Sequence, residues 1–132
     1  MQDHDLQTLQ SILATRGRFG HREHLELTWS FLQSRGPEQA YRAVAAAIRH
    51  LAKTHDAADK YHETITRFWV HLIAFHSAQS GTESFDQFID DHPQLLDGAL
   101  LNRHYSRELL SSSQARSRWI EPDLQRLPGG TL

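Results

Sequence analysis

Histidine is the residue of this chain best equipped to do chemistry: ten occur in 132 positions, with no terminal run. Neutral imidazole is the commonest metal ligand and titrates near physiological pH, so the direction in which each ring points matters. In His21-Arg22-Glu23-His24, two imidazoles stand three residues apart. On a helix this spacing brings Cβ atoms to about 5–6 Å, close enough for both rings to hold one ion. His62 opens a second apolar segment, and Thr66 lies one turn beyond it. His21 and His62 both fall in the first turn of an expected helix. There the helix dipole and burial act together to keep imidazole neutral, the form that binds metal.

His21, His24 and His62 are therefore the candidate ligands of a transition-metal ion: iron, zinc or copper. An H-x-x-H pair alone is a weak motif, and a single inward histidine is more often a hydrogen-bonded core residue. Three at helix starts leave a metal site and structural histidines evenly matched, with a metal-free acid–base pair as a third reading. Glu23 and Glu63 adjoin ligands in sequence but point about 100° away on a helix. Asp97, Asp59 and Glu26 stay open, so a three-histidine site and a two-histidine carboxylate site are both allowed.

Tyr61, Thr66 and Tyr105 are the candidate catalytic groups. Lys60, Arg103, Ser106 and Arg116 are the candidate contacts for a small polar or anionic substrate, because cations and hydroxyls bind carboxylates and phosphates. By residue counting alone, the polar C-terminal third is a solvated surface with serine caps.

Helical spacing recurs along the chain and strand alternation is absent. Leu6, Leu9 and Leu13 predict a first helix, capped by Asp3 or Asp5 and ending at Arg16-Gly17. A second runs from about His21 to Arg35, with His21, His24, Leu25, Thr28, Phe31 and Leu32 on its inward face. Gly36 and Pro37 separate it from a third helix reaching about Thr54. The Asp56–Asp59 segment connects to a fourth helix from about Lys60 to Gln79, apolar over most of its circumference and hence central. Its outward side reads Thr64, Arg67, His71 and Ala78. His76 reads as a packed or rim residue; His4, His50, His55, His92 and His104 read as facing solvent or loops. Ser84 and Gln87 have capping-box spacing for a short fifth helix. Further short helices follow through Leu101, near 106–110 and near 113–119, before an irregular tail over 120–132 that Trp119 and Ile120 pin and that frays at its end.

The segments FGHREHLELTWSFL, DKYHETITRFWVHLI and LLDGALLNRHYSRELLSSSQARSRWIEPDL resemble a family of small bacterial helical proteins. Its members show F-x-H-x-x-H-L, then K-Y-H-x-T-x-T, then Y-S followed by S-x-x-A-R and a P-D-L end. The match covers about residues 19 to 124. The resemblance supplies no reaction. It implies that Phe19, His21, His24, Tyr61, His62, Thr64, Thr66, Tyr105, Ser106 and Arg116 belong to one shared pattern, which favours a site over core packing.

Composition sets the outer bounds. One domain of 132 residues suffices to bury a core. Cysteine is absent, which excludes disulfides, thiolate metal sites and thiol nucleophiles. A formal charge of −2 argues against nonspecific nucleic-acid binding. The polar N-terminus carries no signal-peptide core and no stretch is long enough to span a bilayer, so a cytoplasmic protein is expected. Oligomeric state is not set. The expectation is an all-α, single-domain helical bundle of about four main helices plus short C-terminal helices. Its expected function is that of a small metalloenzyme; the alternatives are a non-catalytic module binding a small ligand or metal, and an interaction protein with structural histidines.

Overall fold

A computed structural model describes residues 1–129. Among them there are eight α-helices and no strand: α1 (Asp3–Arg16), α2 (His21–Leu32), α3 (Pro37–Thr54), α4 (Glu63–Ala78), α5 (Phe85–Asp91), α6 (Leu101–His104), α7 (Arg107–Leu110) and α8 (Ser113–Ser117). Short 3-10 turns occupy Ala58–Lys60, Pro93–Leu96 and Gly98–Leu100. The all-α expectation holds.

Local chemistry accounts for several helix ends. Gly17 stops α1 at φ 74° and donates its N–H to Leu13, a left-handed turn that favours glycine. Glu23 reaches back to the Gly20 N–H at 2.8 Å and closes the start of α2. Pro37 opens α3 at a position where its missing N–H costs nothing. Ser84, Ser106 and Ser112 cap α5, α7 and α8 with their hydroxyls.

Three boundaries differ from the sequence reading. Neither Asp3 nor Asp5 caps α1; Gln2 stands there without a side-chain cap. Asp5 is buried and paired with Arg35, whose guanidinium lies 4.5 Å above the Phe31 ring. α2 ends at Leu32, before Arg35. α4 begins at Glu63 rather than Lys60, and His62 is its cap rather than part of its first turn.

The core has two parts. Leu9 and Ile12 of α1, Leu27 and Phe31 of α2, and Ala40, Val44 and Ala47 of α3 form one. The alanines of α3 let helix axes approach closely. Leu25 of α2, Phe68, Trp69, Leu72 and Ile73 of α4, and Phe85, Phe88 and Ile89 of α5 form the other, closed by Leu95, Tyr105 and Leu127. α4 packs on α2, α3 and α8.

Of the side of α4 read as outward, only Ala78 is exposed. Thr64 and His71 are buried, because the segment from Arg118 to Gly129 runs across them. The tail is irregular as expected, but it is held as far as Leu127 and Pro128. Gly129 has φ 74°, and a Cβ there would meet Phe75 at 2.8 Å, so glycine is required where the tail crosses α4. The expected fraying falls on 130–132, outside the described residues.

Candidate functional site

Irregular backbone has no helical ladder, so its buried carbonyls need donors from elsewhere. In the C-terminal part of this chain, histidines supply them. His21 Nε2–H donates to the Leu95 carbonyl at 2.8 Å, and His62 Nε2–H to the Leu110 carbonyl at 2.8 Å. His71 Nε2–H donates to Pro128 O at 2.8 Å, and His104 Nδ1–H to Gln125 O at 2.9 Å. A carbonyl only accepts, so each contact fixes which nitrogen carries the proton. Thr64 Oγ1 donates to Arg118 O at 2.7 Å and accepts from the Ile120 N–H at 3.2 Å. Tyr105 OH donates to Ile120 O at 2.6 Å. His71 and His104, read from sequence as surface or loop residues, are buried.

The three candidate metal ligands do different work. His62 uses both nitrogens: Nδ1 accepts the Ile65 N–H at 3.2 Å as the cap of α4, while Nε2 holds Leu110. Burial and the Arg116 guanidinium push its pKa down. His21 packs edge-on against Trp69, ring centroids 4.4 Å apart. His24 Nε2 is buried without a hydrogen-bond partner. Burial, reinforced by the neighbouring His21, lowers its pKa to about 4, so it is neutral across the physiological range. Among the described residues, no three histidine, aspartate or glutamate side chains gather as a metal group, and the convergence expected of His21, His24 and His62 is not found. His21 and His24 share α2, but the capping position turns the His62 ring back onto its own helix end.

The remaining candidate residues separate as well. Thr66 Oγ1 donates to the His62 carbonyl at 2.8 Å. Tyr105 is 1% exposed, edge-on to Phe68 and Trp119, and burial raises its pKa. Ser106 donates its N–H and hydroxyl to Asp123, at 2.8 and 2.5 Å. Those two bonds hold the Asp123 carboxyl below its usual range. Arg103 is exposed. Arg116 reaches the carbonyls of Asp59 and Tyr61, at 3.2 and 3.4 Å, and so brackets Lys60.

Lys60 and Tyr61 are brought together in an open groove of about 600 Å³ between the end of α1, the α1–α2 turn and the end of α3. Leu13, Phe19, Ile48 and Leu51 give it apolar walls; Arg18, His55 and Lys60 stand among them. Lys60 makes no ion pair among the described residues, whereas Arg18 lies 3.7 Å from Glu23. Tyr61 is locked: its hydroxyl donates to Glu63 at 2.8 Å, and Arg49 sits 4.7 Å over its ring while pairing with the same carboxylate at 2.9 Å. Sequence reasoning missed Arg18 and the apolar walls. The signal available was Ile48 and Leu51, apolar residues of α3 that are only partly buried.

No protein-family model matches the chain, and no curated protein or solved structure is significantly similar to it. Fold and site define its class: an all-α protein whose irregular C-terminal segment is fastened to a central helix by imidazole-to-carbonyl hydrogen bonds. No helix of the described residues is long and apolar enough to cross a membrane.

Proposed function

We propose that this chain is a non-catalytic helical module that binds a small amphipathic anion, an apolar body carrying a carboxylate, in the groove beside Lys60 and Tyr61. The observation that carries this reading is the pairing of apolar walls with an unpaired ammonium at Lys60. Apolar pockets with a few placed polar groups are the usual form of small-molecule sites. Burial of the apolar body drives binding, and Lys60 supplies the charge that selects an anion. The metalloenzyme reading is weaker on energetic grounds. An ion at His21, His24 and His62 would cost the bond to Leu110 or the cap of α4.

Displacement of the fluorescent anion 8-anilinonaphthalene-1-sulfonate by decanoate, on tag-free protein, tests the proposal. Decanoate is expected to compete with saturation. Lys60→Gln should weaken it about tenfold, the scale of one charged contact. Decanol, of the same chain length without the charge, should bind more weakly than decanoate. Equal affinities for the acid and the alcohol, or full affinity in Lys60→Gln, would remove the anion site.

A further inference from the structure

Two imidazoles stand apart from those that hold carbonyls. His76 lies in the last turn of α4 and His92 caps the C-terminal end of α5. Their ring centroids are 4.9 Å apart, with planes tilted by 40°. Phe75 packs edge-on to His76 at 5.1 Å, and Phe88 packs beside His92 at 5.0 Å. The backbone N–H of His92 is shared between the carbonyls of Phe88 and Ile89, at 3.1 Å each. Both rings are half-buried, and none of their nitrogens is a buried orphan like those of His24 and His71. The pair is therefore held in place with ring nitrogens left for a solvent-borne partner.

The separation suits one particular partner. Metal–nitrogen bonds of about 2.0–2.1 Å, with an N–metal–N angle of about 90–110°, put the centres of two bound imidazoles roughly 4.5–5.2 Å apart. The surroundings favour a cation. His92 opens onto a polar cavity of about 610 Å³ whose walls include Glu83, Asp91, Thr82 and Gln87 and no lysine or arginine. The C-terminal carbonyls of α4 add the negative end of its dipole beside His76. Burial, with His92 alongside, keeps His76 below the usual histidine range.

We propose that His76 and His92 form a two-imidazole site for a divalent transition-metal ion, copper(II) or zinc(II), with water in the remaining positions. Nitrogen donors select these ions over magnesium and calcium, and copper(II) should bind more tightly than zinc(II). This site is separate from the groove at Lys60 and does not depend on it.

Calorimetric titration of the tag-free full chain with zinc(II) and with copper(II) tests the site, each variant first being checked for native helicity by circular dichroism. One equivalent of metal should bind, in the presence of excess magnesium. His76→Ala and His92→Ala should each weaken binding about tenfold or more, the order expected when a metal site loses a supporting group. His50→Ala, which removes an exposed histidine, should bind as wild type does. Affinity should also fall between pH 7.5 and 5.5, because protons compete for the imidazoles. Absence of saturable binding to the wild type overturns the proposal. So does a folded His92→Ala protein that binds with wild-type affinity.

Discussion

His62 Nε2–H donates to the carbonyl of Leu110 across 2.8 Å and 48 positions of sequence, joining the cap of α4 to the end of α7. The same ring accepts the Ile65 N–H through Nδ1. One side chain thus starts the central helix and fastens the end of α7 to it.

His62→Ala should therefore lower stability by about 2 kcal/mol, about 1 from the lost cap and about 1 from the lost carbonyl bond. His62→Asn keeps a capping oxygen and should recover about half. Urea unfolding of the two variants measures the difference, and equal losses would show that the cap contributes nothing.

Thr64 offers a cleaner probe of the crossing segment, because Thr64→Val keeps the shape and removes the hydroxyl. Arg118 O loses its donor and the Ile120 N–H its acceptor. A loss of about 1–3 kcal/mol is expected. Hydrogen exchange at the Ile120 amide should accelerate beyond the global change. Exchange that tracks global unfolding alone would mean the segment does not open separately.

Acid should destabilise the fold through His24. Its folded pKa is lowered from 6.5 to about 4, by burial first and His21 second. Above the unfolded pKa neither state takes up a proton on this ring, and its contribution is constant. Below it, the unfolded chain binds a proton that the folded chain refuses, so stability falls as pH drops from 6.5 toward 4. The slope from this ring is at most about 1.4 kcal/mol per pH unit. His62, also lowered, acts in the same sense. Urea midpoints at pH 7 and pH 5 should differ accordingly. His24→Leu should flatten the dependence and be no less stable at pH 7, since it removes an unpaired buried nitrogen. A wild type equally stable at both pH values would contradict a neutral buried His24.

Arg116 lies outside the groove yet holds the backbone on both sides of Lys60. Arg116→Ala should change stability by less than about 1 kcal/mol, as for most exposed positions. It should nonetheless weaken decanoate several-fold by freeing the Lys60 turn. Loss of affinity only in proportion to loss of folded protein would show that Arg116 has no positioning role.

Periodicity and punctuation in the sequence were enough for the helices. Leu9 and Leu25 fall on inward stripes, Gly17 and Gly36 stop or precede helices, and Pro37 starts one, because these effects act within a few residues. The sequence likewise marked His21 and His24 as neighbours on α2, and Lys60 with Tyr61 as groups worth testing. It could not place partners separated by long stretches of chain. Periodicity labelled Thr64 and His71 as outward because a helix reports its own faces and not what is laid over them. An irregular segment from Arg118 to Gly129 has no period to read, and its path is chosen by which buried carbonyls find donors. That choice turned His71 and His104 into hydrogen-bond donors to the backbone. The facing of His76 and His92 likewise depends on where tertiary burial places the end of α5, which neither local sequence encodes.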